Sequence, residues 1–114
     1  MPSKLITVVE TASFSAAVKG RMEPEEVNDL IALLAREPDA GVLIQGTGGL
    51  RKIRVAVGGR GKCSGVRVIY YFHNDTMPVF LLTVFAKNEK ANLTKAERNA
   101  LAKVAQRLRE TYGV

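Results

Sequence analysis

The chain has almost no cysteine or histidine, the residues of disulfides and of zinc sites. It contains one cysteine, Cys63, and one histidine, His73, in 114 residues. A single cysteine cannot form an internal disulfide, and one cysteine with one histidine cannot supply the ligands of a zinc site. This composition predicts a protein of a reducing compartment.

Membrane-crossing and secretory patterns are also missing. No apolar run reaches the roughly 18 residues that a transmembrane helix needs. The first ten residues, MPSKLITVVE, lack the three regions of a signal peptide. We therefore expect a cytoplasmic protein with no membrane partner. The length of 114 residues predicts a single domain spanning 1–114.

Acidic residues are scarce in the second part of the chain, where the basic residues concentrate. Residues 46–114 hold thirteen Lys/Arg and four Asp/Glu, a net charge of +9, whereas residues 1–45 hold four and seven, a net charge of −3. The four acidic residues of the second part are dispersed: Asp75, Glu89, Glu97 and Glu110. Two-metal nuclease chemistry needs converging carboxylates. The sequence therefore predicts no metal site and no cofactor.

Six cations fall within residues 51–67 with no acidic residue among them. They are Arg51, Lys52, Arg54, Arg60, Lys62 and Arg67. Their mutual repulsion lowers stability, and a polyanion such as RNA or DNA relieves it. A solvated basic surface is the alternative, and charge alone does not decide between the two.

The hydrophobic pattern predicts an α+β domain with the element order β-α-α-β-β-β-α. The predicted strands are 5–9, 50–57, 66–72 and 79–86, and the predicted helices are 11–19, 24–36 and 94–112. Residues 58–65, with four glycines, predict a mobile hairpin loop. Short connections between the last three strands predict an antiparallel sheet. We expect the helices to cover one face of that sheet, leaving Lys52, Arg54 and Arg67 on the other.

These three cations suit cleavage of RNA without a metal. The 2′-hydroxyl can attack its own phosphate if a base takes its proton, cations stabilise the phosphorane and an acid protonates the leaving 5′-oxygen. A lysine serves as that base only if neighbouring cations depress its pKa. Phosphate binding without chemistry is the alternative. His73 lies at a strand end beside a turn, so we expect an ordinary exposed histidine. No partner histidine or acid accompanies Cys63, so we expect it to be incidental.

Three sequence blocks resemble the RelE superfamily, in particular its HigB-type toxins. They are GTGGLRKIRVA (46–56), GVRVIYYF (65–72) and LLTVFAKNEKANLT (81–94). The resemblance implies a RelE-like fold and the toxin half of a bacterial toxin–antitoxin pair. It further implies mRNA cleavage in the 30S A site of the ribosome and silencing by a cognate antitoxin, expected to be a DNA-binding, HigA-like protein.

The resemblance also implies site residues. Catalytic roles fall on Lys52 and Arg54, on Arg67 after a glycine of the next strand, and on Lys87 after the last strand. The residues predicted to bind RNA are Arg51, Arg60, Lys62 and Lys90. Asn88 stands where RelE-type toxins commonly carry an arginine, and no tyrosine follows until Tyr112. This departure leaves the general base and the leaving-group acid open.

Two other functions compete with the nuclease. One is a ParE-like inhibitor of DNA gyrase, and the other is an RNA- or ribosome-binding module without catalysis. The grouping of Lys52, Arg54 and Arg67 favours the nuclease, because an inhibitor has no need of a phosphate-directed cluster.

Overall fold

The computed structural model describes residues 4–58 and 65–113. The elements follow in the order β1 (Val8–Glu10), α1 (Ala12–Ala17), α2 (Pro24–Arg36), β2 (Val42–Leu43), β3 (Leu50–Ala56), β4 (Gly65–Tyr71), β5 (Val79–Ala86) and α3 (Lys95–Thr111). The predicted α+β class is confirmed, with one strand added, since β2 was not predicted. Most of the predicted hairpin loop, residues 59–64, lies outside the described residues.

The five strands form one sheet in the order β1-β5-β4-β3-β2. The β2–β3, β3–β4 and β4–β5 pairs are antiparallel, as predicted for the last three strands, and β1 runs parallel to β5. A bulge interrupts the β4–β5 ladder, where Ile69 pairs with Thr83 but Tyr70 pairs with Leu81. The extra residue in β5 raises the local twist of the two central strands.

Helices α1 and α2 cover the first face of the sheet. Phe14 and Leu34, both fully buried, pack with Val68 and Leu81 of the central strands. Pro24 occupies the first turn of α2, where its missing N–H is not needed. The Glu26 carboxylate accepts hydrogen bonds from the backbone N–H groups of Glu23 and of Gly58, which lies two residues after β3, each at 2.8 Å. These two bonds lower the pKa of Glu26 and tie the start of α2 to the sheet.

Helix α3 packs on the second face, so the prediction that the helices cover one face only is wrong. Ala105 of α3 is fully buried with Tyr71 and Phe80. The cause is that this face also carries large apolar side chains, which need cover from water. The Arg109 Nη1 atom donates to the Tyr71 hydroxyl at 3.0 Å and to the Gly48 carbonyl at 3.3 Å. These bonds fix the C-terminal end of α3 against the sheet.

Tyr70 fixes the turn that leads into β2. Its hydroxyl accepts the Gly41 N–H and donates to the Pro38 carbonyl, both at 2.8 Å. Burial raises the pKa of this hydroxyl. A Cβ atom at Gly41 would lie 2.8 Å from the Tyr70 ring, so only glycine lets the turn approach so closely.

Candidate functional site

Three cations lie together on the second face of the sheet, and we call Lys52, Arg54 and Arg67 the strand cluster. Arg54 on β3 and Arg67 on β4 are direct cross-strand partners, and Lys52 precedes Arg54 by two residues on the same face. Arg54 is exposed, whereas Arg67 is 8% exposed. Like charges placed directly opposite each other destabilise a sheet. A bound anion would reverse that cost.

The row of side chains continues across β5. Arg67 pairs with Phe85, and the Lys90 ammonium lies 5.1 Å from the centre of the Phe85 ring. The same ammonium binds a carboxylate oxygen of Glu97 at 2.5 Å. Lys90, one of the predicted RNA-binding residues, therefore stands beside the strand cluster with its charge partly neutralised by Glu97.

One side of the site is formed by the end of the connection between β5 and α3 and by the first turn of α3. The Lys52 ammonium donates to the Asn92 side-chain oxygen at 3.3 Å. Arg98, in the first turn of α3, donates to the Leu93 carbonyl at 3.3 Å. Ile44, Lys52, Asn92, Leu93 and Arg98 line a cavity of about 160 Å³.

Asn92 and Arg98 were not predicted as site residues. The capping box of Thr94 and Glu97 does mark the start of α3 in the sequence. Arg98 precedes Leu101 by three residues and Ala105 by seven, which is the spacing of one helix face. That spacing was the one indication in the sequence that Arg98 faces the sheet. A charged residue in the first turn of a helix usually lies at the solvated surface, so the spacing did not single it out.

The remaining predicted residues lie in different places. Lys87 is exposed directly after β5, where its backbone N–H donates to the Gly65 carbonyl at 3.1 Å. The Arg51 guanidinium donates to the carbonyls of Asp39 and Gly41 at 3.3 and 2.8 Å. Because strand side chains alternate, Arg51 points to the opposite face from Lys52. Arg60, Lys62 and Cys63 lie outside the described residues.

Within residues 4–58 and 65–113, no residue of the strand cluster takes part in an ion pair. The ion pairs there are Arg21–Glu89 and Lys90–Glu97, so Lys52, Arg54 and Arg67 form no salt bridge with a described carboxylate. Arg54 does line a shallow cavity together with Glu26 and Asp29 of α2. His73 is exposed and stacks on Tyr71 with ring centres 6.5 Å apart. Over the same residues, no three His, Cys, Asp or Glu side chains are grouped closely enough to hold a metal ion.

A larger cavity of about 550 Å³ lies between α1, α3 and β5. Its charged lining consists of the two ion pairs, Arg21–Glu89 and Lys90–Glu97, and Ser13 and Thr83 are also polar. The cations of this lining are already paired, in contrast to those of the strand cluster. Size alone therefore does not make this cavity the better candidate for binding an anion.

The Arg21–Glu89 pair anchors the connection between β5 and α3. Arg21 donates to both Glu89 oxygens at 2.8 and 2.6 Å, and the Ala86 N–H donates to Glu89 at 2.7 Å. The Arg21 hydrogen bond is the main cause that lowers the pKa of Glu89 to about 2. The pair thereby attaches the segment after β5, which contains Lys90 and Asn92, to the loop before α2.

Removing the Arg21 side chain is expected to raise the pKa of Glu89 from about 2 toward its ordinary value of 4.5. Since the pKa is lower in the folded state than in the unfolded state, the pair stabilises the fold above about pH 4.5. That contribution is lost as the pH falls toward 2. NMR titration of the Glu89 carboxyl carbon in Arg21→Ala measures the shift, with Arg36→Ala as control. Equal midpoints in Arg21→Ala and the unmodified protein would show that Arg21 does not hold Glu89.

The fold and the site define a class. The protein is a small α+β domain that groups three cations, Lys52, Arg54 and Arg67, on the antiparallel strands of a sheet flanked by helices. Among the described residues, no helix is both long and apolar enough to cross a membrane.

Comparison with known proteins places the chain more narrowly. Residues 16–112 match the family model described as the RelE toxin of the RelE/RelB toxin–antitoxin system. The chain therefore belongs to the RelE toxin family. A solved structure of a mutant of the E. coli toxin RelE in the free state has the same fold, with a TM-score of 0.52 and 16% sequence identity. That match covers 90% of this chain and 97% of the other.

Proposed function

We propose that this protein is the toxin of a type II toxin–antitoxin pair and acts as a ribosome-dependent mRNA endonuclease. The observation that carries the proposal is the strand cluster. Arg54 and Arg67 stand directly opposite each other with Lys52 beside them, and none of the three forms a salt bridge with a described carboxylate. Membership of the RelE toxin family supports the part of the proposal that the protein is a toxin. The grouping of the three cations supports the part that it cleaves a phosphodiester bond.

The reaction that suits this cluster uses the RNA as its own nucleophile. The 2′-oxygen forms a bond to the adjacent phosphorus while the bond from phosphorus to the 5′-oxygen breaks. The products are a 2′,3′-cyclic phosphate and a 5′-hydroxyl. Negative charge builds on the phosphorane, and we assign its stabilisation to Arg54, which is exposed, and to Arg67, which is buried.

Two proton transfers complete the reaction. The 2′-hydroxyl proton leaves to a base, and the 5′-oxygen gains a proton from an acid. Lys52, in the strand cluster, and Lys87, after β5, are the two lysines we assign to these steps. A neutral ε-amino group accepts a proton and an ammonium group donates one, so the same residue type suits either role.

The RNA on either side of the cut needs further cations. Lys90 and, outside the described residues, Arg60 and Lys62 are proposed to contact its backbone. Arg51 is also proposed to bind RNA, although its Nη1 atom already donates to the backbone carbonyls of Asp39 and Gly41. We further propose that the chain acts in the 30S A site, in the cytoplasm, and that a HigA-like antitoxin silences it in the manner of a HigB-type pair.

The proposal is tested with purified protein and ribosomes carrying a defined mRNA in the A site. We expect cleavage of ribosome-bound mRNA, much weaker cleavage of free mRNA, and products with 5′-hydroxyl ends. An mRNA with a single 2′-deoxynucleotide at the cut position should resist cleavage, because the nucleophile is gone. A 2′-deoxynucleotide one position downstream is the matched control and should be cut normally.

Two results would contradict the proposal. Products with 5′-phosphate and 3′-hydroxyl ends would exclude attack by the 2′-hydroxyl. Intact mRNA together with loss of DNA supercoiling by gyrase would support a gyrase inhibitor in its place.

A further inference from the structure

The cavity beside Lys52 is lined by side chains that can donate hydrogen bonds to a ligand. Asn92 uses its side-chain oxygen to accept the Lys52 ammonium, which leaves its NH₂ group to donate. The Nη1 atom of Arg98 donates to the Leu93 carbonyl, and the remaining N–H groups of its guanidinium can donate to a ligand. A cavity whose polar lining consists of donors binds a group rich in acceptors.

The size and the lining of the cavity restrict the class of ligand that it can bind. Its volume of about 160 Å³ is roughly that of five water molecules at about 30 Å³ each. This is room for one phosphate group with some of its water. Ile44 and Leu93 form the apolar part of the lining, whereas Asn92 is exposed and Arg98 is half-buried, so the cavity is open to solvent on its polar side.

The position of the cavity relates it to the strand cluster. Lys52 belongs to both, and Arg54 lies two residues farther along β3, about 7 Å away in an extended strand. An RNA strand whose scissile phosphate lies between Arg54 and Arg67 can therefore reach the cavity with a neighbouring phosphate. Between the two lies Lys52, which lines the cavity and shares the sheet face of Arg54.

We propose that Arg98 and Asn92 form a second phosphate subsite for the backbone of the bound RNA, next to the phosphate that is cleaved. This inference rests on the proposed function and adds a binding step to it. Arg98 acts here as a binding residue that sets the register of the RNA, while the strand cluster acts on the reacting phosphate. Its planar fork suits a phosphate through paired hydrogen bonds.

Binding to an uncleavable RNA tests the subsite separately from catalysis. The probe is a fluorescent single-stranded 2′-O-methyl RNA, whose blocked 2′-oxygen cannot attack, and the affinity is measured by anisotropy over a range of salt concentrations. Arg98→Ala is expected to weaken binding about tenfold. It should also make the slope of log K against log salt less steep by about 0.7, the effect of one lost phosphate contact on a single strand.

Two further variants control for a structural role of Arg98. Arg107→Ala removes an exposed arginine from the same helix and should leave affinity and slope unchanged. Asn92→Asp keeps the shape of the side chain but adds a negative charge, so it should weaken binding at least as much as Arg98→Ala. Asn92→Asp keeps the test valid even if Arg98→Ala does not fold.

The outcomes separate this inference from the proposed function. Wild-type affinity and salt slope in folded Arg98→Ala, wild-type affinity in Asn92→Asp, or absence of RNA binding by the unmodified protein would overturn the subsite. Binding with the expected dependence on Arg98, in a protein that cleaves no mRNA, would support the subsite and refute the nuclease.

Discussion

Replacing Arg67 with alanine is expected to lower the rate of mRNA cleavage by about 100-fold or more while the protein remains folded. Arg67 is the most buried cation of the strand cluster, at 8% exposed, and it lies between Arg54 and Phe85. A cation held there interacts strongly with charge that develops on a phosphate, and loss of one such group costs about 10²–10³ in rate. Single-turnover cleavage on programmed ribosomes measures the effect.

Two variants give this prediction its controls. Arg67→Lys keeps the charge but loses the planar fork, so we expect an intermediate rate. Arg36→Ala removes an exposed arginine at the end of α2 and should cleave at the normal rate. Full activity in a folded Arg67→Ala protein, verified by circular dichroism and thermal unfolding, would remove Arg67 from the site.

Replacing Phe14 with alanine is expected to lower the free energy of unfolding by about 3–5 kcal/mol, the cost of deleting a large buried aromatic side chain. Phe14 is fully buried and is the buried residue of α1. A helix of six residues is far too short to be stable alone, so it depends on this contact. The melting temperature should fall by roughly 12–20 °C for a domain of this size.

Ser15→Ala is the matched control, because Ser15 is the exposed neighbour of Phe14 in the same helix. We expect its melting temperature to change little. Phe14 packs on the first face of the sheet and the strand cluster lies on the second. Folded Phe14→Ala at low temperature should therefore retain RNA cleavage. A change of less than about 1 kcal/mol in Phe14→Ala would contradict the packing role of α1, since burial on this scale is worth more.

The strand cluster could be predicted from the sequence because strand side chains alternate. Lys52 and Arg54 are two residues apart, so any strand through them places both on one face. The pairing of Arg54 with Arg67 depends on the register of β3 against β4. Residues 58–65 did not determine that register, because a glycine-rich connection of this length permits several.

Other features depend on tertiary contacts that no local pattern specifies. Strand β2 has two residues, Val42 and Leu43, and exists because they pair with Lys52 and Arg51. The face on which α3 packs depends on which apolar surface of the sheet is left uncovered by α1 and α2. Arg98 joins the site only because α3 crosses the sheet at that place, so its role could not be predicted from its own segment.

Mapping of mRNA 5′ ends in bacteria that express the protein is the most direct test of the central claim, namely that the strand cluster cleaves mRNA on the ribosome. We predict new 5′-hydroxyl ends within coding regions, in phase with codons, which appear soon after induction and are absent with Arg67→Ala. Unchanged mRNA ends in cells that the protein nevertheless arrests, or ends that persist at full level with Arg67→Ala, would contradict it.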